Sequence, residues 1–305
     1  MHTDSITPAL LRSSVIAVPP LARNQQLELC SQENQKIIHH LENGGVTTLL
    51  YGGNAALYHT APSEYPQLLQ MLQNLAGENT WVIPSVGPAY GVMMDQAEML
   101  RDFDFPTAMV LPQKDVATSA GSASAVRRFV EKWGKPAVLY LKHGSFFDIA
   151  DVRSLMNDQL ISAIKYAVVL DDPAQDDYLQ ALIDAVGTER IVSGIGEQPA
   201  IVHLRDFGLT GFTSGCVCVA PKLSMTMMRA IHNQDYDQAE TIRQTFQPLE
   251  DLRNGIHPIR VLHSAVAGAG IADTGPILPL LSEVSAEQAE QIAEAAKELL
   301  AKETA

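Results

Sequence analysis

Eight short apolar runs, each followed by a longer amphipathic stretch, occupy the first 221 residues and restrict the available folds more than any other feature of the chain. The runs fall at residues 15–19, 46–51, 81–86, 108–111, 137–141, 161–167, 190–193 and 211–217. Helical patterns lie between them, among others at 31–43, 62–75, 95–103, 119–133 and 174–185, several opened by Ser, Asp or an early Pro. Strands that are apolar on both faces and separated by helices imply a parallel sheet with right-handed crossovers, and eight such units close a TIM (β/α)8 barrel. A doubly wound open sheet is the competing architecture, but no G-x-G-x-x-G follows the first run, where a dinucleotide fold needs one. Beyond about residue 221 the alternation gives way to helical patterns at 222–233, 236–254, 257–267 and 285–302. Ser285 and Gln288 stand at capping-box spacing at the start of the last of these. The expected organisation is a barrel catalytic domain over 1–221 and a C-terminal helical appendage over 222–305, packed on the barrel.

With 46% apolar and 18% charged residues, a 305-residue chain can bury a sizeable core. A net charge of -14 and a pI near 5.0 argue against a nucleic-acid or anionic-membrane surface, since both need clustered Lys and Arg. The N-terminus lacks a basic region followed by an apolar stretch, and no apolar run reaches about 18 residues, so a cytoplasmic protein with no membrane partner is expected. Cys216 and Cys218 lie two apart on one face of the eighth run and read as reduced, buried thiols. The nine histidines contain no H-x-x-x-H arrangement, and His39-His40 reads as helix surface, so no metal site is expected.

Lys165 stands at the end of the apolar run Leu160-Ile161-Ser162-Ala163-Ile164, where an amine is costly. The bland reading is a strand-end lysine that snorkels to solvent or pairs with a carboxylate. The chemical reading is that an apolar pocket lowers its pKa, leaving neutral amine to attack a ketone and form a Schiff base. Barrel active sites lie at the C-terminal strand ends, which brings Lys165 together with Tyr140 one strand away, with Gly52-Gly53-Asn54 after the second strand and with Ser214-Gly215 in the eighth. Tyr140 is suited to passing a proton to or from the substrate. The Gly52-Gly53-Asn54 turn offers backbone N–H groups beside an amide, a cradle for a carboxylate or simply a turn.

The order and spacing of these segments resemble the dihydrodipicolinate synthase / N-acetylneuraminate lyase family of class I, Schiff-base-forming lyases. The resemblance runs nearly end to end. Tyr51-Gly52-Gly53-Asn54 with Glu64 is similar to the family's strand-two glycine motif and its downstream acidic residue. Pro136-Ala137-Val138-Leu139-Tyr140 resembles the strand that delivers the family's catalytic tyrosine, and Ile161-Ser162-Ala163-Ile164-Lys165 the one that delivers its lysine. Gly211-Phe212-Thr213-Ser214-Gly215, Asn254-Gly255-Ile256-His257-Pro258-Ile259 and Leu278-Pro279-Leu280 are similar to its strand-eight and helical-domain segments.

The departures bear on substrate rather than fold. Where the family has Gly-Thr-Thr-Gly-Glu or a close variant, this chain has Gly52-Gly53-Asn54-Ala55-Ala56 and lacks the relay hydroxyl. Gln113 and Lys114 replace the tyrosines that reach a neighbouring subunit, Ser145 stands where an arginine is expected, and Tyr166 replaces the usual Glu after the lysine. These differences argue against lysine-pathway synthase activity.

The resemblance implies a class I aldolase or dehydratase acting on a pyruvate-type 2-oxo acid or 2-keto-3-deoxy sugar acid. Lys165 would form the Schiff base, Tyr140 would shuttle the proton, Gly52, Gly53 and Asn54 would hold the carboxylate, and Ser214 and Gly215 would line the pocket. No cofactor is called for, because the iminium is itself the electron sink. A homotetramer built as a dimer of dimers is implied as well. The alternative is a catalytically degenerate relative that binds a metabolite as sensor or structural subunit.

Overall fold

The computed structural model describes residues 1–144 and 146–304. Eight strands, β1 (Ile16–Ala17), β2 (Thr48–Tyr51), β3 (Trp81–Val86), β4 (Met109–Val110), β5 (Ala137–Leu141), β6 (Ile161–Tyr166), β7 (Ile191–Ser193) and β8 (Gly211–Ser214), pair in sequence order, all parallel. The β1–β8 pairing, Ile16 with Thr213 and Ala17 with Ser214, closes the barrel. Around it and after it lie helices α1 (Pro8–Ser13), α2 (Ser31–Asn43), α3 (Tyr65–Leu75), α4 (Tyr90–Met99), α5 (Ser119–Trp133), α6 (Ile149–Asn157), α7 (Asp177–Val186) and α8 (Ala200–Arg205), then α9 (Pro221–His232), α10 (Tyr236–Gly255), α11 (Pro258–Gly268) and α12 (Ala286–Thr304).

Local chemistry explains why the chain punctuates as it does. Thr118 accepts the Gly121 N–H at the start of α5, and Gly134 ends that helix at φ +90, a left-handed position that glycine occupies without strain. At α12 the capping box is complete: Ser285 Oγ accepts the Gln288 N–H, and Gln288 Oε1 accepts the Ser285 N–H. The strands are buried on both faces because barrel interior and helix layer each cover one, which is why they read as continuous apolar runs.

Strand eight is shorter than its apolar run suggests. It ends at Ser214, and residues Cys216–Cys218 form a 3-10 turn, so the two thiols do not share a strand face. Both are buried, and burial raises both well above the ordinary thiol range. His39 is exposed, whereas His40 is half-buried with Nε2 3.1 Å from the Val219 carbonyl oxygen. No helix among the described residues is long and apolar enough to cross a membrane.

Candidate active site

Lys165 and Tyr140 are paired positions on β6 and β5, so the strand pleat sends both side chains to the same side of the sheet. The next residue, Tyr166, faces the helix layer instead: its hydroxyl donates to Asp176 Oδ2 at 2.5 Å and its ring stacks on Tyr178 of α7. Tyr166 is therefore core, not pocket wall. Lys165 Nζ lies 4.5 Å from the centroid of the Tyr140 ring, and Lys165 is only 6% exposed. Burial first, then the charges of Arg253 and Lys142, bring its pKa down to about 7. Among the described residues, no acidic side chain pairs with Lys165, so the salt-bridge reading of this lysine has no counterpart.

The lysine opens into a cavity of about 240 Å³ bounded by Gly53, Asn54, Tyr58, Tyr140, Lys142, Thr213, Gly215 and Arg253, among others. Gly194 makes room for the lysine stem. A β-carbon there would stand 2.7 Å from the Tyr166 carbonyl oxygen, 2.7 Å from Ala167 Cβ and 3.0 Å from Lys165 Cγ.

The structure sorts the residues singled out from sequence. Lys165, Tyr140, Gly53, Asn54 and Gly215 meet in the cavity. Gly52 does not reach it; it is buried beside Ser85 and Met109, where a β-carbon would fall 3.0 Å from Ser85 Oγ and 2.9 Å from Met109 Cε. Ser214 is turned away as well: its hydroxyl donates to Glu197 Oε2 at 2.7 Å and accepts the Val217 N–H at 3.0 Å. Asn54 spends one amide N–H on the Val18 carbonyl oxygen at 2.9 Å. Glu64 serves the loops rather than the cavity, gripping Arg23 through two bonds of 2.7 and 2.8 Å. Ser145 lies outside the described residues.

Four residues around the site were given no role by the sequence reading. Tyr58, in a 3-10 turn after β2, lines the cavity, and burial pushes its hydroxyl up to about 12. Tyr140 is raised further, by burial and then by Tyr58, so both phenols hold their protons at neutral pH. Glu197, fully buried after β7, accepts hydroxyls from Ser214 and Ser224, each at 2.7 Å, and its backbone N–H donates to Glu250 Oε1 at 3.1 Å. Burial and the adjacent Glu197 carboxylate hold the Glu250 carboxyl well above the ordinary range. Arg253 completes the group, with Nη1 3.6 Å from Glu250 Oε1. A signal for these two existed: α10 buries Ala239, Ile242, Phe246, Leu249, Glu250 and Arg253, one stripe at helical spacing, and two charged residues within such a stripe need an explanation.

Beyond Tyr140 lies a second cavity of about 690 Å³, with Met93, Val110, Leu111, Phe146 and Phe147 in its walls.

The closed barrel with its C-terminal helices is shared with solved structures. Among solved structures, the chain superposes on dihydrodipicolinate synthase from Oceanobacillus iheyensis with a TM-score of 0.82 at 19% identity, covering 94% of this chain and 96% of that one. The structure of PhdJ bound to a substrate intermediate matches with a TM-score of 0.84 at 17% identity over 99% of both chains. Sialic acid aldolase from Ruminococcus gnavus matches with a TM-score of 0.83 at 15% identity, over 96% of this chain and 98% of that one. At such identities the likeness is one of fold. No curated protein sequence gives a significant match. The model of the dihydrodipicolinate synthetase family, however, matches residues 10–299, almost the whole chain, and the protein belongs to that family.

Proposed function

We propose that the protein is a class I lyase, an aldolase or dehydratase, that processes a 2-oxo acid through a Schiff base on Lys165. The observation that carries this reading is the buried Lys165 amine, brought down to about 7 and set against Tyr140. The neutral amine adds to the C2 ketone to give a carbinolamine; loss of water, with a proton supplied through Tyr140, leaves an iminium. That iminium accepts the electron pair released when a carbon–carbon bond or an α-C–H bond breaks, forming an enamine. In an aldolase the carbonyl fragment departs and the enamine is protonated; in a dehydratase the enamine instead expels the β-hydroxyl as water; hydrolysis of the resulting iminium frees the product and the lysine. Gly53, Asn54, Thr213 and Gly215 border the space for the acid. The departures at Asn54-Ala55-Ala56 and Gln113-Lys114 favour a substrate other than that of dihydrodipicolinate synthase.

The test is intact mass after incubation with pyruvate and borohydride, followed by peptide mapping. The expected result is one adduct, on Lys165, lost in Lys165→Ala. Absence of an adduct with pyruvate and with longer 2-oxo acids would remove the lyase reading. A second reading, a binding protein without turnover, draws on the missing relay hydroxyl and on Ser214 being committed to Glu197. It predicts an adduct on Lys165 with no exchange of the pyruvate methyl protons for deuterium.

A further inference from the structure

We propose that Arg253, reaching in from α10 outside the barrel, binds the C1 carboxylate of the 2-oxo acid across the niche that Gly215 leaves open, opposite Asn54. The inference rests on the lyase reading above. It starts from an unfinished set of bonds. Arg253 is 8% exposed; among the described residues its Nε and Nη1 are buried without a hydrogen-bond partner, and its one side-chain hydrogen-bonding neighbour is the weak acceptor Cys216. A guanidinium carries five donors and stays charged, so such a group buried in protein is built to meet an acceptor.

Neither neighbouring carboxyl meets that need. Glu250 Oε1 stands 3.6 Å from Nη1, beyond a hydrogen bond, and takes the Glu197 N–H instead. Glu197 is engaged by the hydroxyls of Ser214 and Ser224. Burial and the neighbouring Glu197 raise the Glu250 carboxyl well above the ordinary range, which weakens its hold on the arginine charge. The pair therefore props the guanidinium from one side without saturating it.

The other side is the cavity that holds Lys165. Gly215 has no side chain, and the position its β-carbon would take lies 3.1 Å from Leu262 Cδ2, 3.2 Å from Asn54 Nδ2 and 3.4 Å from Arg253 Cζ. The guanidinium and the amide thus bracket one small space. A planar carboxylate fits a guanidinium fork through two parallel bonds, and the second N–H of Asn54 remains to be used after the bond to Val18. Arg253 takes over the anion-binding work left open at Asn54-Ala55, where hydroxyl side chains are missing. The substrate class follows: 2-oxo acids with a free carboxylate, in preference to neutral ketones or esters.

The test compares trapping of Lys165 by pyruvate and by hydroxyacetone, an uncharged ketone, with cyanoborohydride. In Arg253→Gln the half-saturating pyruvate concentration is expected to rise about 10- to 100-fold, the loss of a charge-assisted hydrogen-bonded contact. Trapping by hydroxyacetone, read at a pH above the Lys165 midpoint of both proteins, should persist, which reports an intact fold and an active lysine. Arg253→Lys, which keeps the charge and loses the fork, should fall between, and it carries the test if the Gln variant does not fold. An unchanged pyruvate half-saturation, or an equal loss for both ketones, would overturn the proposal. If neither ketone labels the wild-type protein, the lyase reading fails, and calorimetric binding of pyruvate decides Arg253 separately. A tenfold weaker affinity in Arg253→Gln would support the carboxylate contact, and equal affinities would reject it.

Discussion

Lys165 and Tyr140 face one another across paired positions of adjacent parallel strands, with the lysine Nζ 4.5 Å from the centroid of the tyrosine ring. The contact sets two effects in opposition. The π-face favours the ammonium by about 0.5–2 kcal/mol, whereas burial and two nearby cations disfavour it. Burial wins, and the pKa of Lys165 falls to about 7.

That value predicts the pH dependence of Schiff-base formation. Only the neutral amine attacks a ketone, so trapping by an uncharged ketone should be low at pH 5, rise through about pH 7 and level off above it. Arg253→Gln removes one of the depressing charges, so the midpoint should move upward. The measurement is the rate of cyanoborohydride trapping against pH, and a midpoint near 10 would show a solvated lysine.

The same depression is a stability cost. In the unfolded chain a lysine holds its proton to about 10.4. Below about pH 7 the native state therefore carries the full cost of a buried charge. The cost shrinks as pH rises between the two values, because there the unfolded state binds more protons. Lys165→Met keeps the apolar stem and removes the charge, so it should stabilise the protein at pH 7, by roughly 4 kcal/mol at most from the shift alone. Urea unfolding would read this, and a destabilised variant would contradict it.

Tyr140→Phe separates the ring from the hydroxyl. The aromatic face over Nζ survives, so labelling of Lys165 by pyruvate and borohydride should still go to completion, at a slower rate because Tyr140 also supplies the proton for loss of water. Loss of the proton shuttle should slow deuterium exchange into the pyruvate methyl group by about 10²-fold or more. Equal rates in the two proteins would assign the proton transfer to another group, Tyr58 being the nearest candidate on the cavity wall.

Gly194→Ala tests how closely the lysine stem is packed. The added carbon would press on Tyr166, Ala167 and the Lys165 Cγ at distances of 2.7 to 3.0 Å. Overpacking of this kind costs about 1–3 kcal/mol. Urea unfolding should show that loss and borohydride trapping a slower reaction, since the amine is displaced.

The buried glutamates should respond unequally to amide substitution. Burial and Glu197 raise Glu250 well above the ordinary range and so favour its neutral form, and Glu250→Gln should change stability by less than about 1 kcal/mol. Glu197 accepts two hydroxyls, and Glu197→Gln presents an NH2 to one of them, at a cost of about 1–3 kcal/mol. Chemical unfolding of both variants at pH 7 gives the comparison, and the reverse order would place the charge on Glu250.

The barrel was legible because its signals are local. The apolar runs that became β3 and β5 match at both ends, as do the patterns for α2 and α5, and the Ser285–Gln288 pair forms the cap that its spacing implies. Each depends on periodicity or on a neighbour three residues away. Lys165 was legible for a related reason, as a charge in a run whose burial the sequence itself declares. What the sequence did not contain is direction. Ser214 and Gly215 are adjacent in the chain, yet Ser214 serves Glu197 while Gly215 opens onto the cavity. Tyr166 follows Lys165 directly in the chain, yet the pleat turns it to the helices. Arg253 is 88 residues past Lys165 in the chain, on a helix outside the barrel, and only the packing of α10 over the strand ends brings the two cations to one cavity. Sequence alone determined the elements and their order, because those follow from local periodicity. Tertiary structure alone decided which charges surround the Lys165 amine, because Coulomb interactions depend on distance in space and not on separation along the chain.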